Sequence, residues 1–242
     1  MMVIGLKVKT LYIITLCVVI ICVCVLLYSA FSNSAVHTSS DNITEDMPHI
    51  VIDAGHGGED GGAEVDGVLE KDINLNIANK LADILRLCGY QVTEIRDEDI
   101  SVYTDDAETL RQKKTSDLKH RAEIFNEDAD NIVVSIHQNK FDNSAYSGTQ
   151  VFYSTNNENS AILAESIRNS VVSLLQKDNT RELKPASSDI YVLDQAEVPA
   201  VIVECGFLSN SEERAKLLDE NYQSEMAYAV AMGVLEYSEK ER

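Results

Sequence analysis

The 242-residue chain carries 20 Lys+Arg against 40 Asp+Glu, a formal net charge of −20 at pH 7. A surface that acidic excludes a nucleic-acid binder, which needs a basic footprint. It also leaves any anionic substrate to be held by local cations or a metal, not by the global field.

From Leu11 to Phe31 the chain is nearly free of polar residues and free of charge, with Lys7 and Lys9 ahead of it. About 21 helical residues span roughly 30 Å, the thickness of a bilayer core, whereas a secretory signal has a shorter apolar region of about 7–15 residues. Residues 1–32 therefore read as an N-terminal membrane anchor, with a cleaved signal as the alternative. In either case the basic flank stays inside and the remainder is exported. Cys17, Cys22 and Cys24 lie in this segment as small apolar residues, and Leu16 before Cys17 is too large for a good lipoprotein signal. Residues 33–47 are small and polar with no apolar period, which makes them a linker.

After Pro48 the pattern changes, and residues 48–239 read as one catalytic domain. Ile50–Asp53 is a short buried strand. Asp72–Cys88 carries Ile73, Ile77, Leu81, Ile84 and Leu85 at helical spacing, stopped by Gly89. Tyr90–Ile95 is a second strand, and the polar stretch 97–116 is an exposed excursion. Leu118–Phe125 is a helix, Asn131–Ile136 a buried strand and Gly148–Tyr153 a further strand. A helix follows over 158–177, then a short strand at Ile190–Leu193 and a last strand at Val198–Glu204. Helices over 211–219 and 222–238 close the chain. This alternation predicts a single α/β domain whose mostly parallel twisted sheet of about six strands is flanked by helices on both faces. In such sheets ligands gather at the carboxyl ends of the strands.

Three residues stand at those positions, His56 in Asp-Ala-Gly-His-Gly-Gly, His137 after Val-Val-Ser-Ile and Glu204 after Ala-Val-Ile-Val, and a fourth, Glu70, stands in the first turn of a helix. Imidazole and carboxylate are ligands of Zn²⁺, and a catalytic zinc site uses three protein ligands plus water. His56, Glu70 and His137 supply that set, leaving Glu204 as a proton carrier. Each has a plainer reading taken singly: a loop histidine, a first-turn charge favoured by the helix dipole, a satisfied core histidine, and a carboxylate paired with Arg96 or Arg121. Asp53 could orient a ligand imidazole or cap the glycine loop, the latter being favoured. His37 and His120 read as solvated, and His49 stands at most behind a ligand. Cys88 and Cys205 make no disulfide framework, and strand alternation puts Cys205 on the face opposite Glu204.

From His49 to about Ser238 the chain resembles the zinc-dependent N-acetylmuramoyl-L-alanine amidases. The matching stretches are Val51–Gly58, the Glu70-Lys-Asp helix start, Leu118–Arg121 with Ser135-Ile-His137, and Pro199–Asn210. The resemblance implies zinc on His56, Glu70 and His137, Glu204 as the catalytic glutamate, and a peptidoglycan substrate cut between the muramic lactyl group and L-alanine. The compact form with one N-terminal hydrophobic segment, and the stretch Arg181–Leu193, are similar to the spore-cortex, germination-associated members. Those act with a downstream deacetylase that makes muramic lactam, and an accessory protein is a further partner to expect. Gln138-Asn-Lys departs from the smaller residues of many relatives and bears on the site rim. Three rival readings remain: a Cys/His peptidase using Cys205, a glycosidase using Glu70 and Glu204, and a membrane-tethered wall-binding module without activity.

Overall fold

The computed structural model describes residues 47–240. The expected anchor over 1–32, His37 and nearly all of the linker lie outside the described residues, among which no helix is long and apolar enough to cross a membrane.

The elements in chain order are β1 (His49–Ala54), β2 (Glu64–Val65), β3 (Val68–Leu69), α1 (Glu70–Leu87), β4 (Gln91–Glu94), α2 (Leu110–Phe125), β5 (Asn131–Asn139), β6 (Gln150–Tyr153), α3 (Asn159–Leu174), β7 (Lys184–Pro185), α4 (Tyr191–Gln195), β8 (Ala200–Phe207), α5 (Ser211–Leu217) and α6 (Glu220–Lys240). Six strands form one sheet in the order β4-β1-β5-β8-β6-β7, with β2 and β3 as a separate pair. Strands β4, β1, β5 and β8 pair in parallel, while β6 runs antiparallel to β8. The mostly parallel six-stranded α/β sheet matches the expectation.

Both faces are buried because both sets of alternate strand residues are apolar. Ile50, Ile52, Val134, Ile136, Val201 and Val203 pack with residues of α1, α3 and α6 on one side. Val51, Val133, Ala200 and Ile202 pack with Phe125 of α2 and Leu193 of α4 on the other. Each fully buried aliphatic side chain contributes about 1.5–3 kcal/mol of transfer free energy, so the strands that carry the candidate site are anchored by buried apolar residues on both faces.

Several elements differ from the sequence reading. Strand β5 runs on to Asn139 and β8 to Phe207, so Glu204 lies within its strand and not at its end, and the short edge strand is Lys184–Pro185. Helix α2 starts at Leu110, inside the expected excursion, because Thr109 and Gln112 form a reciprocal capping box that satisfies the free N–H groups of a turn with no apolar period. Ile190–Leu193 is not a strand but overlaps the short helix α4. A four-residue apolar run fits either element when buried on one side. The hairpin β2–β3 was not foreseen. Its turn holds Asp66 and Gly67 at φ 52 and 79, the positive-φ pair of a tight hairpin.

Candidate metal centre

Glu70 opens α1, His56 sits in the loop after β1, and His137 lies within β5 and not at its tip, since the strand continues to Asn139. These three elements meet at the carboxyl edge of the sheet. His137 Nδ1 lies 2.9 Å from Glu70 Oε1 and His56 Nε2 lies 3.3 Å from Glu70 Oε2. The two imidazoles stand edge to face, with centroids 5.0 Å apart. One donor atom from each of the three residues falls within 4.8 Å of the others. A pair of imidazole nitrogens and a carboxylate this close fit a zinc ion.

The backbone makes room for this convergence. A Cβ at position 55 would stand 2.1 Å from His137 Nε2, and one at position 62 would stand 2.6 Å from Glu70 Oε2. Gly55 and Gly62 therefore admit the donors, a role beyond the loop flexibility read from the sequence. Glu70 is held from several sides. Its oxygens accept from the Ala63 N–H at 2.8 Å, the Gln138 N–H at 3.1 Å and Asn74 Nδ2 at 3.2 Å. Gln138 is buried and donates through Nε2 to Asn74 Oδ1 at 3.2 Å, so it supports the site from beneath and does not shape its rim.

His56 is fixed by a group the sequence reading passed over. Asp60 Oδ2 lies 2.9 Å from His56 Nδ1, the carboxylate–imidazole arrangement that orients metal-ligating histidines. The signal was present, a carboxylate four residues after the histidine in a glycine loop. Burial pushes the His56 pKa down, but hydrogen bonds to Asp60 and Glu70 outweigh it and raise it to about 9. Burial also acts to raise Glu70, yet the hydrogen bonds of both histidines hold it well below the usual carboxylate range.

Asp53, expected to cap the glycine loop or orient an imidazole, does neither. It pairs with Arg121 and accepts from Ser135 Oγ at 2.6 Å. Arg121 also reaches the carbonyls of Ala54 at 3.1 Å and His56 at 2.9 Å. Arg96, fully buried, donates to the carbonyls of Ala54 at 2.8 Å and Gly55 at 3.0 Å. Two guanidiniums thus clamp three successive carbonyls and hold His56 at φ 62, a left-handed conformation that a non-glycine residue keeps only when its surroundings demand it. Both arginines that might have paired with Glu204 are committed here.

Burial acts to raise the Asp53 pKa, and the Arg121 charge together with His137, Ser135 and hydrogen bonding lowers it overall. A carboxylate depressed in the folded state contributes stability above its unfolded value of 3.8 and loses it as pH falls below that. Asp53→Asn is expected to lower unfolding free energy at pH 7 by about 3 kcal/mol, the low end for a broken buried pair because Asp117 still accepts from Arg121. The gap to wild type should close below pH 3.8 in denaturant titrations, and a gap independent of pH would contradict the ion pair.

Glu204 pairs in register with His137 across β5 and β8, so both side chains share one face. Its Oε2 is buried without a hydrogen-bond partner among the described residues. Burial raises its pKa to about 7 against the opposing pull of His137, a value a nearby dication would draw down. Cys205 faces the opposite core, fully buried, with its thiol pushed up by burial. That removes the Cys/His peptidase, and Glu70, tied to both imidazoles, is no free carboxylate for a glycosidase. Cys88 and Cys205 are both free thiols. His49 bonds Thr93 at 2.9 Å and His120 lies 3.6 Å from Glu123, both apart from the centre.

Residues 50–236 match the family described as N-acetylmuramoyl-L-alanine amidase. The chain belongs to that family. The amidase is similar to the germination-specific N-acetylmuramoyl-L-alanine amidase of Bacillus subtilis, at 31% identity over 188 residues that cover 78% of each chain. It is 36% identical over 190 residues to the Bacillus subtilis protein YqiI, covering 78% of this chain and 84% of that one. Among solved structures it resembles the CwlD amidase from Clostridioides difficile in complex with the GerS lipoprotein, with TM-score 0.75 and 41% identity over 78% of this chain and 98% of that one. The amidase is thus an enzyme of a cell-wall-hydrolysing family, and the wall-binding module without activity is set aside.

Proposed function

We propose that this amidase holds a zinc ion on His56, Glu70 and His137 and uses Glu204 to move the proton as it cuts the amide between the muramic lactyl group and L-alanine of peptidoglycan. The observation that carries this is the meeting of three donors within 4.8 Å beside a carboxylate whose buried oxygen has no other partner among the described residues. Zinc bound there supplies Lewis acidity, polarising the amide carbonyl and making water acidic enough to react near neutral pH. Asp60 keeps the His56 ring turned inward, and the Ala63 and Gln138 N–H groups keep the Glu70 carboxylate aimed at both rings. Glu204 takes a proton from the attacking water and returns it to the departing alanine nitrogen, a contribution of about 10²–10⁴-fold. The rings of His56 and His137 remain about 20% exposed, which supports an open site reached without displacing a plug.

The germination-specific relative supports a role in the spore cortex, and the lipoprotein complex of the Clostridioides relative supports an accessory protein at the exported surface. The uncharged stretch Leu11–Phe31 supports a membrane anchor with the catalytic domain on the wall side. The test is mass spectrometry of purified wall fragments incubated with the protein and Zn²⁺. Free stem peptides beginning with L-alanine, together with peptide-free muramic acid, are the expected products. New reducing ends or cuts within the stem would overturn the assignment.

A further inference from the structure

Beyond the His137–Glu204 pair the two strands continue to Asn139 and Phe207, which are again register partners after a bulge. Phe207 is the floor of an aromatic stack. The Tyr146 ring lies 6.2 Å from it, and the Arg181 guanidinium lies 4.4 Å from the Phe207 ring and 5.5 Å from the Tyr146 ring. Phe141 meets Tyr146 edge to face at 5.2 Å and 86°. The loop that carries both rings is tied to the end of β8, since the Phe141 N–H donates to Ser209 Oγ at 3.1 Å and Asn210 Nδ2 donates to the Tyr146 carbonyl at 3.3 Å. Despite this ordering, Phe141 is 56% and Tyr146 43% exposed. Two large rings, fixed in place and open to water next to a site, form the kind of apolar patch that marks a binding surface.

We propose that Phe141 and Tyr146 form a subsite for an N-acetylhexosamine ring of the glycan strand, a proposal that rests on the amidase reading. Phe207 lies three strand steps after Glu204, with two residues between them, so the floor of the stack begins about 10 Å along β8 from the proton carrier. The scissile amide hangs from its sugar by a short lactyl ether, so the glycan must pass within that distance. The chemistry of the patch selects the sugar over the stem peptide. The two exposed rings carry no charge of their own, and Arg181 lies against the Phe207 and Tyr146 rings with its Nε donating to the Ser147 carbonyl at 2.7 Å, so the exposed surface of the patch is apolar and not a carboxylate clamp. A neutral sugar presents C–H faces that lie against the electron-rich faces of aromatic rings, with polar groups needed only at the edge.

The test uses the full chain in detergent with Glu204→Gln to prevent turnover, titrated with a peptide-free N-acetylglucosamine/N-acetylmuramic acid tetrasaccharide. Isothermal titration calorimetry reads binding in every variant, including those that lack Tyr146. Phe141→Ala with Tyr146→Ala is expected to raise Kd about tenfold, the scale of one stacked aromatic contact, and Phe141→Tyr should restore it in the single-site background. In the active protein the same pair should raise KM for wall glycan much more than it lowers kcat. Should the double variant melt early, Phe141→Ala alone carries the same expectation, because its ring is more than half exposed. Unchanged tetrasaccharide affinity overturns the subsite, as does a loss confined to free stem peptide. Failure of the wild-type protein to release any stem peptide would instead refute the amidase reading, and the tetrasaccharide titration does not depend on it.

Discussion

Replacing Glu204 by Gln is expected to lower turnover about 10²–10⁴-fold, the usual share of general acid–base catalysis, with metal content unchanged. The amide keeps the size of the side chain and one acceptor but cannot carry a proton. Bound metal should remain because Glu204 stands beside His137 in the sheet without belonging to the three-donor cluster. The sign of the stability change also follows. A carboxyl whose folded pKa is raised from 4.5 to about 7 by burial is destabilised in its charged form as pH rises through that interval. Above pH 7 the metal-free variant should therefore melt at or above the wild-type temperature. Activity assays, metal analysis and calorimetry on one preparation check all three points, and loss of metal from Glu204→Gln would move this residue into the ligand set.

His137→Ala is expected to empty the metal site, with affinity falling by more than the 10–100-fold typical of losing a group that merely supports a ligand. His56→Ala should do the same, and Glu70→Gln should weaken binding because a neutral amide is a poorer ligand than a carboxylate. The fold should survive His137→Ala, since the neighbouring Ile136 and Val134 are fully buried on the opposite face and keep β5 anchored. Equilibrium dialysis against zinc separates the outcomes. Full occupancy in both histidine variants would sink the assignment, and so would an empty site in Glu204→Gln alongside a full one in Glu70→Gln.

The sheet was legible because its inner strands are nearly uninterrupted runs of Val, Ile and Ala, and burial on both faces leaves such runs no other stable place. The convergence of His56, Glu70 and His137 was legible because strand ends and helix starts in a parallel sheet share one edge. What escaped depended on side-chain geometry that pattern reading does not encode. The early turns of α2 rest on a Thr109–Gln112 cap and not on amphipathicity. Asp60 and the Arg96–Arg121 clamp act through hydrogen bonds within and beneath a loop, some of them across 65 or more residues of chain. Gln138 stands out in the sequence as an unusual residue, but its burial against Asn74 depends on which way β5 turns each side chain.

The donors arrive from different stages of chain assembly. Glu70 and His56 belong to the first βα unit, whereas His137 is separated from Glu70 by 67 positions and reaches it only when β5 lies between β1 and β8. A partly folded chain offers two of the three proposed ligands, which leaves ion capture to the completed sheet. Uptake would then act as a proofreading step on folding, and an ion that binds only the finished form raises the cost of unfolding in proportion to the logarithm of its concentration. The supply of free metal where the chain folds would then bear on how readily the finished form unfolds.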